Sequence, residues 1–282
     1  MTSTTLDSIP ARATVTAAVR PVVHPVSLRR AAVSEWIKLR SLRSTLITLA
    51  AGFACLAGIG ILVSASIAHQ WPTTPPADRA TFDPVAAALD GAGIAQLAVG
   101  VLGVLVVTGE YATGMIRATL TAVPTRLPML WAKSLVFGAV TLVTMAIAAL
   151  IAFFGSQAAL SSQHIQTTVT APGVFRAVIG SALYLTVVGL IGVALGALIR
   201  NTAGGISALF AILLLVPEVI KVLPASIYRD IAPYLPSNAG QAVMTVHTSG
   251  GSLSPWTGFA VLCAYAAVGL AAAAYLLKRR DA

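Results

Sequence analysis

The sequence predicts an all-α membrane protein with six transmembrane helices. Hydrophobic residues make up 57% of the 282-residue chain, and charged residues make up only 10%. A soluble globular domain carries about 25% charged residues, so this composition indicates a polytopic membrane protein. The mean hydropathy of +0.88 agrees with that class. Six apolar runs also follow one another along the chain, each near the roughly 20 residues that a helix needs to cross the hydrocarbon core.

The six runs account for most of the chain after residue 45. They cover Leu46–Ala68, Val85–Thr108, Ser134–Phe154, Val174–Ile199, Ala203–Leu223 and Thr257–Leu277. Asp83 and Pro84 form a suitable cap and first-turn pair for the second run. Arg200-Asn201 and Gly204-Gly205 leave only a tight turn between the fourth and fifth runs.

The residues before the first run divide into a tail and a basic helix. Residues 1–26 lack helical or strand periodicity and predict a flexible cytoplasmic tail, so residues 27–282 form one six-helix transmembrane domain. Residues 27–44 predict a helix in which Glu35 and Arg43 interrupt an apolar stripe. The stripe comprises Leu28, Ala32, Trp36, Leu39 and Leu42. Two interpretations stay open: an interfacial helix on the inner leaflet, or a basic flank before the first span.

The distribution of Lys and Arg predicts the orientation. With the N-terminus inside, 14 of the 18 basic residues are cytoplasmic. The four outside are Arg79, Arg176, Lys221 and Arg229. This asymmetry is a positive-inside signal, so both termini and the segment Gly109–Ser134 are expected in the cytoplasm.

The segment Gly109–Ser134 interrupts two apolar runs and predicts a docking element. Four apolar residues recur at helical spacing: Met115, Ile116, Leu120 and Val123. Pro124 ends that helix, and Thr125 is placed to cap a second one. The second helix carries Leu127, Leu130 and Trp131. Charge comes from Arg117, Arg126 and Lys133.

The motifs of common enzyme sites are missing from the sequence. No lysine follows the glycines of a phosphate-binding loop, and HExxH, GxSxG and CxxC patterns do not occur. The four histidines lack the spacing of metal ligands, and Cys55 and Cys263 lie in apolar runs as small core residues. These absences disfavour an independent enzyme and predict no cofactor and no metal bound by this chain.

Three acids near or inside the spans are candidates for function. Asp90 and Glu218 either act within the membrane or reach the outer headgroups. Glu110 snorkels to the interface, pairs with Arg117, or fixes the docking helix to the second span. Gly192-x-x-x-Gly196 permits close helix packing, although chance produces such a match in an Ala/Gly-rich chain. The stretch from Val216 to Leu235 opens the longest outer loop and is apolar enough to dip back into the outer leaflet.

Four ordered stretches resemble the permease subunits of ABC type-2 exporters, in particular actinobacterial ones. They are EWIKLRSLRST (Glu35–Thr45), GEYATGMIRATLTAVPTRLPMLWAK (Gly109–Lys133), GALIRNTAGGIS (Gly196–Ser207) and LPSNAGQAV (Leu235–Val243). The resemblance extends from about Ser27 to the C-terminus.

The resemblance implies a permease domain with an amphipathic elbow helix at about Ser27–Ser44 and a coupling helix at about Ala112–Val123. The coupling helix would dock on a separate ATP-binding-cassette ATPase that binds ATP and Mg. The implied coupling residues are Glu110, Gly114, Met115, Ile116, Arg117, Leu120 and Arg126. The implied elbow residues are Trp36, Lys38, Leu39 and Arg40. Two permease copies or paralogues and two ATPase subunits would form the exporter, and the final outer loop would carry short re-entrant helices.

The expected function is efflux of an amphipathic or hydrophobic substrate (drug, antibiotic or lipid) across the plasma membrane by alternating access. Nucleic acid is not an expected partner. The candidate pathway residues are Gln96, Thr108, Ser207 and Glu218. The alternative is a secondary transporter or an integral membrane enzyme that works without an ATPase. A secondary transporter would need charged or broken helices near the midplane, and those are scarce in this sequence.

Overall fold

The computed structural model describes residues 28–112, 126–246 and 251–279. All regular structure in these ranges is helical, and six helices are long and apolar enough to cross a membrane. The first to sixth spans are Arg43–Thr73, Pro84–Tyr111, Leu127–Gln163, Val174–Ile199, Thr202–Ile220 and Pro255–Arg279. The all-α, six-span fold predicted from the sequence is confirmed. The predicted tail and residues 113–123 of the predicted coupling helix lie outside the described residues.

The first two spans are interrupted where they touch. The first span comprises the α-helices Arg43–Ala54 and Gly60–Gln70, the π-helical turn Cys55–Ile59 between them, and the 3-10 turn Trp71–Thr73. A short helix, Pro76–Ala80, leads to the second span, which comprises the helices Pro84–Leu89 and Ala92–Ala112. A Cβ atom on Gly91 would lie 2.2 Å from the carbonyl oxygen of Cys55. The break in the second span therefore packs directly on the π-helical turn.

Asp83 begins the second span as the sequence predicts. Its Oδ1 atom accepts hydrogen bonds from the backbone N–H groups of Val85, at 2.8 Å, and Ala86, at 3.2 Å. Pro84 occupies the first turn, where its missing N–H has no partner to lose. The predicted cap is confirmed.

The third, fifth and sixth spans differ from the predicted runs mainly at their ends, whereas the fourth span coincides with its predicted run. The third span lies in one helix, Arg126–Leu160, with the 3-10 turn Ser161–Gln163 after it, so it is longer than the predicted run. The fourth and sixth spans are single helices, Val174–Ile199 and Pro255–Arg279. The fifth comprises Thr202–Phe210, the π-helical turn Ala211–Leu215 and Val216–Ile220.

The turn between the fourth and fifth spans is shorter than predicted. Arg200 adopts a left-handed conformation with φ of 56°, and Asn201 caps the next helix by accepting from the N–H of Gly204 at 2.9 Å. The fifth helix begins at Thr202. Gly204-Gly205 consequently belongs to the helix, because a cap at Asn201 starts it before the glycine pair is reached.

The fourth and second spans form the centre of the bundle. The most apolar stretch of the fourth span is 72% buried inside the protein, compared with 22% for the fifth span. Glycine makes the central contact possible: a Cβ on Gly192 would lie 2.2 Å from the carbonyl oxygen of Gly100, and one on Gly196 would lie 2.8 Å from that of Val104. Gly192-x-x-x-Gly196 is therefore a packing motif in this protein.

The short helices Ala225–Ile231, Ala232–Tyr234, Pro236–Gln241 and Ala242–Met244 follow the fifth span. Ala225–Ile231 buries no residue, whereas Pro236–Gln241 and Ala242–Met244 pack against the fourth and sixth spans. Arg176 of the fourth span donates to the carbonyl oxygens of Val243, at 3.2 Å, and Thr245, at 3.0 Å. Ala239 and Val243 are fully buried. Within the predicted re-entrant stretch Val216–Leu235, Pro217, Ala232 and Leu235 are buried, and burial continues beyond it at Ala239 and Val243.

The N-terminal helix, Leu28–Ser41, packs on the third span. It stops before the predicted end at residue 44, and the first span begins at Arg43. The helix buries Glu35 and Leu39, whereas Trp36 of the predicted apolar stripe is 49% exposed. Glu35 was predicted to interrupt the buried stripe and instead forms part of it. The reason is that two lysines neutralise its carboxylate.

Candidate functional site

Four charged side chains form a closed ion network where three helices meet. Glu35 and Lys38 come from the N-terminal helix, Glu110 from the last turns of the helix Ala92–Ala112, and Lys133 from the beginning of the third span. We call the end of the bundle that carries them the basic end. It contains the N-terminal helix, the ends of the second, fourth and sixth spans, and the beginnings of the first, third and fifth spans.

Each lysine in the network binds both carboxylates. The Lys133 Nζ atom lies 2.6 Å from Glu35 Oε2 and 2.9 Å from Glu110 Oε1. The Lys38 Nζ atom lies 2.8 Å from Glu35 Oε1 and 2.9 Å from Glu110 Oε1. Glu35 therefore offers one oxygen to each lysine, and Glu110 offers the same oxygen to both.

Local sequence positions the four side chains. Glu35 and Lys38 are three residues apart, so they lie on one face of their helix. Glu110 closes the second span and Lys133 opens the third, so both stand at the same end of the bundle. The network consequently ties the N-terminal helix to the two helix ends that flank residues 113–125.

The network is buried and balanced in formal charge. Glu35 and Lys133 are each 3% exposed, and Glu110 is 6% exposed. Moving charges out of water costs several kcal/mol per ion, and ion pairing offsets that cost only when the partners are close. Two carboxylates and two ammonium groups meet this requirement here. Loss of one member would leave an uncompensated charge in a dry site.

Lys38 is the most exposed member of the network, with 27% of its side chain accessible. Burial by itself lowers the pKa of Lys38, but its hydrogen bonds to Glu35 and Glu110 and the charges of these two residues outweigh burial. The pKa of Lys38 is therefore raised above 10.5. Lys38 stays charged throughout the physiological range.

A cavity of about 260 Å³ lies beside the network. Glu35, Lys38, Glu110 and Lys133 all border it. Its apolar wall includes Leu102, Leu105 and Val106 of the second span, and Ser44 and Thr45 of the first span complete it. The cavity thus separates the start of the first span from part of the end of the second.

The structure describes the predicted elbow residues but only part of the predicted coupling residues. Glu110 lies in the network, whereas Gly114, Met115, Ile116, Arg117 and Leu120 lie outside the described residues. Arg126 begins the helix of the third span, and its side chain is outside what the structure describes. Lys38 and Leu39 face the bundle, and Trp36 and Arg40 are exposed.

The predicted pathway residues separate into two buried and two exposed positions. Gln96 is hydrogen-bonded to the hydroxyl of Tyr184 in the fourth span. Thr108 accepts from the hydroxyl of Thr202 at 3.0 Å. Ser207 and Glu218 are exposed, and Glu218 pairs with Lys221 at 2.6 Å. Asp90 is also exposed, at the break in the second span.

Sequence reasoning missed three members of these arrangements. In the sequence, Glu35 interrupts an apolar stripe and Lys133 contributes to the charge of the segment Gly109–Ser134. The spacing of Glu35 and Lys38 is a signal that two opposite charges share a helix face, but it does not reveal the distant partners. Nothing in the sequence distinguishes Tyr184 from other aromatic residues in the spans.

Among the described residues, no group of three or more His, Cys, Asp or Glu side chains is arranged to hold a metal ion. The two cysteines are free thiols in different spans. No protein-family model matches the chain, and no curated protein matches it with significant similarity.

Proposed function

We propose that this chain is the transmembrane permease subunit of an ATP-driven ABC exporter in the plasma membrane, with ATP and Mg bound by a separate ATPase subunit. The observation that carries the proposal is the buried ion network of Glu35, Lys38, Glu110 and Lys133. The network fastens both helix ends beside residues 113–125 to the N-terminal helix. The coarser statement, a multi-pass all-helical membrane protein, is established by the six spans.

A subunit driven by another protein needs a contact that transmits force. A flexible loop would absorb the displacement, whereas a loop whose two ends are held by buried ion pairs passes it to the helices. The network holds the second span, the third span and the N-terminal helix together. A push on residues 113–125 would therefore reach three helices as one body.

The mechanism follows from the two states that such a device connects. Binding of ATP closes the partner ATPase subunits and displaces the segment at residues 113–125 of each of two permease copies or paralogues. The substrate path then closes on one side of the membrane and opens on the other. Hydrolysis of ATP resets the permease. Nucleotide drives this change only because it binds the two states with different affinities. The proposed cargo is an amphipathic or hydrophobic compound such as a drug, an antibiotic or a lipid. The basic end, with both termini, faces the cytoplasm.

Gln96, Thr108, Ser207 and Glu218 remain the proposed pathway residues. Ser207 and Glu218 are exposed on the fifth span, the least buried span of the bundle. A second permease copy that faces this span would enclose them.

The test is co-purification of the tagged protein from native membranes in mild detergent, followed by measurement of ATP hydrolysis. We expect a separate ATPase with the wild-type protein. Arg117→Glu, or Met115→Ala with Ile116→Ala, should remove the ATPase. Arg279→Glu, an exposed basic residue at the end of the sixth span, is the matched control and should retain it.

A second variant distinguishes binding of the ATPase from transmission of its movement to the permease helices. Glu110→Gln combined with Lys133→Gln removes one charge of each sign and keeps the network balanced. We expect this protein to retain the ATPase but to lose substrate-stimulated hydrolysis. Absence of any ATPase from the wild-type preparation would overturn the proposal and favour a secondary transporter or an integral membrane enzyme.

A further inference from the structure

A groove of about 540 Å³ runs between the N-terminal helix and the third span. The N-terminal helix contributes Arg29, Ala32, Val33 and Trp36. The third span contributes Leu135, Val136, Ala139, Val140, Val143 and Thr144. The lining is apolar except for Arg29 and Thr144, so the groove combines a hydrocarbon-like wall with one cationic residue.

The groove opens to the surroundings of the bundle. Its rim residues Leu135 and Val143 are 64% and 61% exposed. Both lie inside the membrane-spanning stretch Leu127–Gln163. From Leu135 to Thr144 the helix rises about 13 Å at roughly 1.5 Å per residue, a length that suits an extended segment of an acyl chain.

Arg29 is exposed and has no anionic partner within the described bundle. Among the described residues, Arg29 makes no hydrogen bond or ion pair. The acids described at the basic end are Glu35 and Glu110, and both are engaged by the two lysines of the network. The other described acids are Asp78, Asp83, Asp90, Glu218 and Asp230, all at the opposite end. A second copy of the described part would therefore bring no free carboxylate to Arg29.

We propose that this groove is a binding site for one anionic phospholipid, with an acyl chain along the third span and the phosphate at Arg29. The apolar lining matches the acyl chain, and the guanidinium matches a phosphate, to which it can donate two hydrogen bonds at once. The groove lies next to the ion network through Trp36 and Glu35, so the bound lipid supports the helix that carries half of the network. The site depends only on membrane insertion and is independent of the exporter proposal.

Trp36 provides a direct probe because it lines the groove. Trp71, Trp131 and Trp256 are replaced by Phe, and the protein is placed in phosphatidylcholine nanodiscs. These contain an equal, low fraction of either brominated phosphatidylglycerol or brominated phosphatidylcholine. Bromine quenches indole fluorescence on contact. We expect the anionic lipid to be enriched at Trp36 about fivefold, the effect of roughly 1 kcal/mol per basic residue at an anionic surface.

Variants of basic residues define the site. Arg29→Gln should abolish the preference for the anionic lipid, and Arg29→Lys should retain part of it. Arg43→Gln is the matched control, because Arg43 is exposed beside the same helix but does not line the groove. Native mass spectrometry also counts the lipids retained by the wild-type protein and by Arg29→Gln. This measurement needs no tryptophan replacement, so it tests the site even if the tryptophan variants fail to fold.

Three outcomes would overturn the proposal. Equal quenching by the two brominated lipids means that ordinary boundary lipid fills the groove. Quenching by neither means that protein covers it, either residues 1–27 or a second copy. Equal loss of preference in Arg29→Gln and Arg43→Gln means a diffuse basic surface without a site.

Discussion

The Lys133 Nζ atom lies 2.6 Å from Glu35 Oε2, although 98 residues separate these positions in the chain. Both residues are 3% exposed. This contact fastens the N-terminal helix to the third span, and the shared carboxylate of Glu110 adds the second span. Three helices are thus joined by buried charges that are stable in this place only while positive and negative charges balance.

Replacement of Lys133 tests the energetic role of the network. Lys133→Met leaves two carboxylates with one lysine, and we expect the folded protein to lose about 3–5 kcal/mol, the typical cost of removing one partner of a buried pair. Thermal unfolding in detergent measures the change. Lys221→Met is the control, because Lys221 and Glu218 form an exposed pair that is screened by water. Equal unfolding temperatures for the two variants would contradict the buried network.

The glycine contact between the second and fourth spans predicts a sensitive position. Gly192→Ala places a Cβ 2.2 Å from the backbone oxygen of Gly100. A helix backbone cannot relieve this overlap by changing rotamer, as a side chain can. We expect a loss of about 1–3 kcal/mol in stability, as for other overpacked cores. Gly93→Ala is the control, since its Cβ would meet no atom within 4 Å. The contact would be refuted if both variants unfolded alike.

The hydrogen bond between Tyr184 and Gln96 predicts coupled effects on stability. Tyr184→Phe removes the donor and leaves a buried amide oxygen unsatisfied, which costs about 1–3 kcal/mol. Adding Gln96→Leu should cost less than the sum of the two single changes, because both remove one interaction. A double-mutant cycle of unfolding midpoints measures this. Additive effects would refute the coupling, whereas lost transport at unchanged stability would assign Gln96 to the pathway.

The raised pKa of Lys38 predicts how its contribution depends on pH. A cation whose pKa is raised on folding stabilises the protein fully below the pKa of the unfolded state, here about 10.5, and this stabilisation disappears as pH rises through the folded-state value. The difference in unfolding temperature between wild type and Lys38→Met should be constant from neutral pH to near 10.5 and shrink above it. A difference that changes between neutral pH and pH 9 would show that other groups control the network.

The orientation can be measured with single cysteines. In a protein carrying Cys55→Ala and Cys263→Ala, we expect Ser162→Cys to react with a membrane-impermeant thiol reagent added to intact cells. Ser41→Cys should react only after the membrane is opened. Both serines are exposed, so their side chains are equally available to the reagent. The reverse pattern would place the basic end outside.

The sequence by itself determined the number, type and approximate limits of the spans. Each apolar run must be helical in a bilayer, because only internal hydrogen bonds satisfy its backbone there. The cap at Asp83 and the stop at Arg200-Asn201 are equally local, since they involve hydrogen bonds between residues close in the chain. These features needed no knowledge of neighbouring helices.

Only the tertiary structure decided which charges are buried and which glycines carry contacts. Glu35 interrupts an apolar stripe when its helix is considered alone, and it becomes a core residue because Lys133 approaches from a distant part of the chain. The sequence shows that Gly192-x-x-x-Gly196 permits close packing, but it does not distinguish this motif from a chance match. The structure does so, because a Cβ on Gly192 would lie 2.2 Å from the backbone oxygen of Gly100. Burial of a charge is favourable only when an opposite charge lies beside it, and a glycine is favoured only where another backbone approaches closely. The positions of such partners are set by the packing of the whole bundle.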